Sequence, residues 1–309
     1  IVVKKYGGTS VGSIERIENV AARLKSEIAQ GQKPIVVASA MSGETNRLVA
    51  LGEKVDPDYR GPAYDMLVSS GEQVAIALLT IAQKKIGVKA QALLAYQLGI
   101  HTDKVHSKAR IQKIDGEILR KIVDQGIVPV VAGFQGIDEE SNITTLGRGG
   151  SDTTAVALAA AIGADECEIY TDVPAVFTAD PRLVPKAKEL DKISFEEMME
   201  MASLGSKVLH IRCVEIAAKY GIRIHLRSTF ESREGTWIVP EGEVMEHPVV
   251  AAVTHDAATI IFKLFPVPFG AQFLSDLFAR LAKLGVVVDI ITQSQNEEGQ
   301  RLAFSVTKE

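Results

Sequence analysis

Residues 144–161, TTLGRGGSDTTAVALAAA, constrain this chain more than any other stretch. A polar turn, Gly147-Arg148-Gly149-Gly150, runs into Ser151-Asp152-Thr153-Thr154 and then into an alanine-rich helix. Ser151 or Asp152 can cap that helix, and the free amides of its first turn make an anion site. Gly149 and Gly150 permit left-handed backbone or close approach to a ligand. Arg148 adds a five-donor fork suited to a carboxylate or phosphate. The alternative is a surface loop feeding a capped helix, but a plain loop does not need Arg, two Gly and Ser-Asp together.

The length, 309 residues, suits one large α/β domain plus a smaller one. A net charge of −5, with no basic tail, gives no sign of a nucleic-acid partner. Cys167 and Cys213 lie far apart in apolar surroundings and read as buried free thiols, which favours a reducing, cytoplasmic compartment. No apolar run is expected to reach the roughly 18 residues of a membrane span. Residues 1–5 read as a first strand rather than a signal peptide.

Strand-length apolar runs alternate with helical spacing along the chain. The first strand leads into Tyr6-Gly7-Gly8-Thr9-Ser10, and residues 13–30 place Ile14, Ile17, Val20, Ala21 and Leu24 on one helical face. Strand, glycine turn and helix make a phosphate cradle. It is neither Walker A, since no Gly-Lys-Ser/Thr follows the glycines, nor the spaced dinucleotide fingerprint. Lys5 precedes the glycines instead, where its ammonium could lie over phosphates held by Gly7 and Gly8. Residues 34–40 form a second buried strand that opens into a small hydroxyl-rich loop, the end at which parallel sheets place ligands. Residues 48–61 read as a helix fragment and surface loop, and residues 64–81 as a helix interrupted near Ser69-Ser70-Gly71-Glu72. Glu72, in an otherwise apolar segment, is either a helix N-terminal carboxylate or a site group for an ammonium.

Residues 88–93 and 127–134 are further strands, and residues 135–143 a hairpin or loop into the glycine-rich motif. Residues 101–116 are a polar excursion in which His101 and His106 lack a third ligand at useful spacing for a metal. A strand at 167–172 ends in Thr171-Asp172. Beyond it, Phe177 could wall an adenine pocket, Arg182 could reach phosphates and Asp180 could orient Arg182. Ser194 and Glu197 form a capping box, a helix spans 208–220, and 222–227 and 236–239 are strands, the latter at the sheet's edge. After a polar link, strands at 249–254, 259–264, 286–291 and 302–306 with a helix at 273–284 suggest a small ferredoxin-like module.

Two glycine turns, two candidate phosphate lysines (Lys5, Lys207) and Arg148 argue for phosphoryl transfer, where positioning and charge neutralisation dominate. No Gly-x-Ser-x-Gly elbow or obvious Cys–His pair supports acyl transfer. The residues favour an ATP-dependent small-molecule kinase, with a non-enzymatic anion sensor as the rival.

The motifs then become specific. Lys5-Tyr6-Gly7-Gly8-Thr9-Ser10, Ser39-Ala40-Met41-Ser42, Ser70-Gly71-Glu72 and Val131-Ala132-Gly133-Phe134-Gln135-Gly136 resemble the aspartokinase family. So, in the same order, do Gly147-Arg148-Gly149-Gly150-Ser151-Asp152, Thr171-Asp172-Val173, Thr178-Ala179-Asp180-Pro181-Arg182 and Ser206-Lys207-Val208-Leu209-His210. The resemblance implies a three-layer, mostly parallel α/β sheet with helices on both faces, the amino-acid kinase fold, over residues 1–239. It further implies a linker at 240–248 and a smaller α+β, ferredoxin-like ACT regulatory module at 249–309. The implied reaction is ATP + L-aspartate → ADP + 4-phospho-L-aspartate, with Mg2+ on the nucleotide. That is the entry step to lysine, threonine, methionine and, in bacteria, diaminopimelate.

Carried over by position, Lys5 would contact the transferring phosphoryl group and Asp152 would organise that lysine and the substrate. Glu72 would hold the aspartate ammonium and Arg148, with Gly149 beside it, the α-carboxylate, while Ser39 and Thr45 help place the substrate. Gly7, Gly8, Ser10, Thr171, Asp172, Phe177, Asp180, Arg182 and Lys207 would lie along the nucleotide. The attacking carboxylate has an ordinary pKa near 3.9, so no general base is needed and anion–anion repulsion is the obstacle.

Two departures from the family stand out. Pro174-Ala175 and Phe177 replace an Asp-Gly pair and a later Tyr, which predicts altered nucleotide affinity with activity retained. Family members generally carry two ACT units, and this chain has room for one that looks incomplete. The exposed edge of such a unit predicts at least a homodimer, or association with a regulatory subunit, with lysine or threonine or both as effector.

Overall fold

β1 (Val2–Tyr6) is buried along its whole length in the middle of an eight-stranded sheet. The computed structural model describes residues 1–206, 208–243, 250–255, 258–268, 270–296 and 299–307, and the chain divides into two units, Ile1–Thr254 and His255–Glu309. Because strand side chains alternate, β1 sends Val3 and Lys5 to one face and Lys4 and Tyr6 to the other. Val3 joins the apolar layer beneath one set of helices, and Tyr6 joins the layer on the opposite face.

From β1 the chain passes through α1 (Ile14–Ala29) to β2 (Pro34–Ala38), then α2 (Glu44–Val55), α3 (Pro62–Val68) and α4 (Ser70–Lys85) to the rim strand β3 (Ala90–Leu93). β4 (His101–Thr102), β5 (Ile111–Lys113) and α5 (Gly116–Asp124) precede β6 (Val128–Ala132). β7 (Gln135–Ile137) and β8 (Ile143–Thr145) form a hairpin in a small four-stranded sheet with β4 and β5. α6 (Gly150–Ile162) then carries the chain to the other side of β1, where β9 (Glu166–Thr171) pairs. β10 (Lys192–Ser194), α7 (Phe195–Ser203), α8 (Ile211–Tyr220), β11 (Ile224–Ser228) and β12 (Thr236–Val239) complete the unit.

The strand order is β10-β12-β11-β9-β1-β2-β6-β3, parallel except for the β11–β12 pair. It reverses direction at β1, the switch point at which open α/β sheets bind ligands. Register makes this concrete. Tyr6 pairs with Ala38 and Tyr170, and Ala38 with Ala132. The loops that begin at Gly7, Ser39, Gly133 and Asp172 therefore leave the same end of the sheet. Val3, Val37, Val131 and Ile169 pack with α5, α6, α7 and α8, and Tyr6, Val36, Ala38 and Val130 pack with α1 and α4. The result is the three-layer α/β fold that the sequence implies.

Local expectations fare unevenly. Residues 48–61 are more ordered than their weak pattern suggests, because α2 runs through to Val55. The strand at 236–239 is not at the edge: β10 pairs outside it. Residues 62–85 are long and apolar enough to pass the membrane-span criterion, against the expectation of none. The stretch carries the buried carboxylates Asp65 and Glu72 and packs much of its apolar surface into the protein, as a pair of core helices does.

In the second unit, β13 (Thr259–Val267), α9 (Ala271–Lys283), β14 (Val288–Asn296) and β15 (Gly299–Thr307) give the expected β-α-β-β order. The antiparallel sheet β13-β15-β14 buries Leu302, Phe304 and Val306 under Leu274, Leu277, Phe278 and Leu281 of α9. The strand expected at 249–254 is absent over 250–254; these residues belong to the first unit, within which the Val253 amide donates to the Thr178 carbonyl. Val249 lies outside the described residues.

Candidate active site

Lys5 lies on the α6 face of β1. Its Nζ stands 2.6 Å from Asp152 Oδ1, with both side chains nearly buried. The pair is close without being aligned as a hydrogen bond, so Asp152 Oδ1 has no aligned donor. Nζ also lies 3.6 Å from the point where a Cβ on Gly7 would be. The ammonium is thus folded over the glycine turn. Gly8 has no space for a side chain, because a Cβ there would come within 2.8 Å of the Ala40 carbonyl oxygen. The Ser42 amide donates to Gly8 O and the Ser39 amide to Tyr6 O, which stitches the two loops together.

Glu72 enters from α4. It is 3% exposed, and its Oε1 accepts the Ala40 amide at 3.0 Å. Oε2 is buried with no hydrogen-bond partner. Burial pushes the Glu72 carboxyl up to about 7, against the opposing pull of the Ala40 hydrogen bond. An unpaired buried carboxyl is costly unless something cationic completes it. Ser39 and Thr45 are half-buried around the same loop.

The glycine-rich motif supplies the opposite wall. Gly149 is the N-cap of α6, in left-handed conformation, and no side chain caps the helix. Neither Ser151 nor Asp152 is the cap that the sequence suggests, because the helix starts one residue earlier, at Gly150. Ser151 instead packs where a Cβ on Gly133 would be, 2.6 Å from that point. With no side-chain cap, first-turn amides are left available to a ligand. Arg148 is exposed at the head of this turn.

Two residues of this wall were quoted in motifs without a role. His210 N-caps α8 by accepting the Arg212 amide on Nδ1, and its Cβ lies 2.2 Å from where a Gly149 Cβ would be. Burial and the Arg212 charge hold its pKa below the ordinary value, and Asp152 and Arg148 both act on it. Phe134 has left-handed backbone and packs on Gly150, with its amide bonded to Thr154 Oγ1 at 3.1 Å. A non-glycine residue in that region stores strain, as residues at binding sites often do.

On the β9 side of β1, Thr171 Oγ1 donates to Asp172 Oδ1 at 3.1 Å, and Asp172 is exposed. Residues 176–190 fold back on themselves through Leu190 N to Val176 O, Thr178 N to Lys188 O and a Phe177–Glu189 bridge. On this hairpin Asp180 accepts the Arg182 amide at 2.9 Å and its guanidinium at 3.0 and 2.8 Å, and leaves the guanidinium mostly exposed. Ser10 is fully buried with its hydroxyl 2.6 Å from Thr229 Oγ1, so what it offers is the shape of the turn. Lys207 lies outside the described residues. Cys167 and Cys213 are free and buried, and burial pushes both thiols up, away from thiolate chemistry. Among the described residues no group of three or more His, Cys, Asp or Glu side chains could hold a metal.

Lys5 is therefore central. Glu72 and the Ser39 loop lie on its β2 side, the first turn of α6 meets it through Asp152 with Arg148 exposed just ahead of that turn, and the Asp172 and Arg182 loops lie on its β9 side.

Residues 1–228 match the amino acid kinase family. The chain is 50% identical over 297 residues to the aspartate kinase of Pseudomonas putida, covering 95% of this chain and 72% of that one. The aspartate kinase structure from Synechocystis superposes with a TM-score of 0.71 at 43% identity, over 99% of this chain and 52% of the other. E. coli aspartokinase III in complex with aspartate and ADP, described as its R-state, superposes at 0.82 with 27% identity, over 99% of this chain and 78% of that one. The same enzyme with lysine and aspartate, its T-state, superposes at 0.79 with 28% identity over 99% and 79%.

Proposed function

The chain belongs to the aspartate kinases of the amino acid kinase family, and we propose from its site geometry how it phosphorylates the side-chain carboxylate of L-aspartate with ATP. Glu72 Oε2 takes the α-ammonium and Arg148, beside Gly149, the α-carboxylate, with Ser39 and Thr45 around the substrate. These contacts turn the side-chain carboxylate toward Lys5. The nucleotide is assigned to the loops of Gly7, Gly8, Thr171, Asp172, Phe177, Asp180 and Arg182, with Ser10 shaping the glycine turn beneath it. A carboxylate oxygen bonds to the γ-phosphorus as the bond to the ADP oxygen breaks. No proton moves, since aspartate's side chain is ionised at neutral pH. The protein's task is to hold two anions in line, and Lys5 with the glycine and α6 amides supplies the positive field. Asp152 holds the ammonium in place until phosphate arrives.

The observation that carries this reading is Glu72: a buried carboxyl with one oxygen unpaired, one loop away from the Gly7-Gly8 turn. It asks for a ligand with an ammonium beside its carboxylates. Magnesium is assigned to the ATP phosphates, arriving with the substrate.

Residues 249–309 are read as an ACT-type regulatory region after a linker at 240–248. The lysine complex of E. coli aspartokinase III supports lysine as effector, with threonine as the second candidate. The edge strands of the β13-β15-β14 sheet expose Ile261, Phe265, Ile290 and Ile291, which favours a homo-oligomer or a regulatory partner chain. The free cysteines fit a cytoplasmic setting.

The test compares L-aspartate with N-acetyl-L-aspartate, which keeps both carboxylates and loses the ammonium, as ATP-dependent acceptors. Turnover of aspartate alone supports the assignment. Equal turnover of both would remove Glu72 from it.

A further inference from the structure

Asp65 is a heavily hydrogen-bonded, buried carboxylate outside the site, and nothing in the reaction uses it. It lies in the first turn of α3 with no exposed surface. Its Oδ2 accepts the Thr145 amide at 3.0 Å and its Oδ1 the Thr145 hydroxyl at 2.7 Å. The Ser107 amide donates to both oxygens at 3.1 Å, and His106 Nδ1 lies 2.7 Å from Oδ2. Backbone amides can only donate, so Asp65 is the acceptor toward Thr145 and Ser107, and His106 Nδ1 is placed to add one more donor.

These bonds join three segments. α3 leads through Ser69 directly into α4, which carries Glu72. Thr145 ends β8, three residues before Arg148. Ser107 has left-handed backbone at φ 67°, and its carbonyl oxygen would lie 2.9 Å from a Cβ on Gly147, so it presses on the turn that presents Arg148. From the other side, Arg212 donates to the carbonyls of Leu146 and Ala109.

We propose that Asp65, steadied by His106, is a positioning residue that fixes the separation of Glu72 from Arg148. The inference rests on the assignment of those two groups to the aspartate ammonium and α-carboxylate. Ammonium and carboxylate share one carbon, so their two receptors must keep a fixed spacing, and misplacement by about 1 Å is felt in binding and rate. Asp65 bonds to the strand before Arg148 and sits on the helix that leads into the element bearing Glu72. It touches no substrate.

Steady-state kinetics on the full chain test this with Asp65→Asn, His106→Leu and His106→Asn, each measured for both substrates and for thermal stability. Asp65→Asn turns an amide toward donors that need an acceptor, and the expected result is a KM for aspartate raised about tenfold or more with KM for ATP within about twofold. His106→Leu shifts KM for aspartate in the same direction by a smaller factor. His106→Asn, whose amide nitrogen can stand where Nδ1 stood, restores it. A purely structural role predicts loss of stability with both KM values unchanged or moving together, and that result overturns the proposal. Should Asp65→Asn fail to fold, the His106 pair carries the test alone. Arg148→Ala is the reference. If it leaves KM for aspartate unchanged, the Arg148 assignment itself falls and takes the coupling with it, which separates that failure from a failure of Asp65.

Discussion

Lys5 and Asp152 meet at 2.6 Å across the gap between the central strand and the first turn of α6, with the ammonium lying over Gly7. On the proposed reading, this buried cation is where a phosphoryl group crosses from donor to acceptor. Lys5→Met, which keeps the stem and removes the charge, is expected to lower kcat roughly 100- to 1,000-fold with KM for aspartate little changed. Stopped-time ADP release reads both. A variant with near-normal kcat would remove Lys5 from the reaction.

Glu72 makes the site pH-dependent. Its folded pKa, about 7, lies above the ordinary 4.5, so the folded state holds the proton more tightly than the unfolded chain. That contribution to stability is complete below about pH 4.5 and is lost as pH rises through about 7. Glu72→Gln should therefore be more stable than the wild type at pH 8, by up to about 3 kcal/mol, and no more stable at pH 4. Urea denaturation at the two pH values checks it.

With the aspartate ammonium assigned to Glu72, the same proton is expected to compete with substrate. KM for aspartate is expected to rise about tenfold per pH unit below 7, while KM for ATP stays flat. A flat aspartate profile between pH 6 and 8 would mean that the Glu72 carboxylate does not meet the ammonium.

Gly149→Ala combines a positive φ of 67° with a Cβ only 2.2 Å from that of His210. Backbone strain and overlap together predict a loss of about 2–4 kcal/mol and weakened aspartate binding. Calorimetric titration of aspartate beside a melting curve separates the two effects. Wild-type behaviour in both would contradict the tight closure of α8 on this turn.

Pro174 and Ala175 stiffen the loop after Thr171. Ala175 is buried and the next amide, Val176, is pinned by Thr236 Oγ1 at 2.9 Å. The double change Pro174→Asp with Ala175→Gly frees this turn, and the expected outcome is a KM for ATP altered about threefold or more with kcat within about twofold. Unchanged ATP kinetics would show that the departure has no consequence for the nucleotide.

Much of this is legible in the residues. Strand-length apolar runs between helical stretches give an α/β domain, the family resemblance of the ordered motifs implies the three-layer sheet, and a lone glutamate inside an apolar run marks Glu72. What sequence leaves open depends on which backbones touch. Gly8 against Ala40, Gly133 against Ser151 and Gly149 against His210 are close approaches between segments far apart in the chain. No local pattern encodes them. The expected cap at Ser151 or Asp152 fails for the same reason: both residues can cap, but the left-handed Gly149 starts the helix earlier. Asp65 looks like an ordinary first-turn acid until β8 and the residue 106–107 loop close over it.

The central claim is that aspartate's side-chain carboxylate receives the phosphoryl group. Trapping the acyl phosphate with hydroxylamine, in the presence of MgATP and either L-aspartate, L-glutamate or N-acetyl-L-glutamate, measures it directly. The account predicts ATP-dependent aspartyl hydroxamate, far less product from the other two acceptors, and loss of the aspartate signal in Glu72→Ala and Arg148→Ala. No hydroxamate from aspartate, or more from glutamate or N-acetylglutamate, would contradict it.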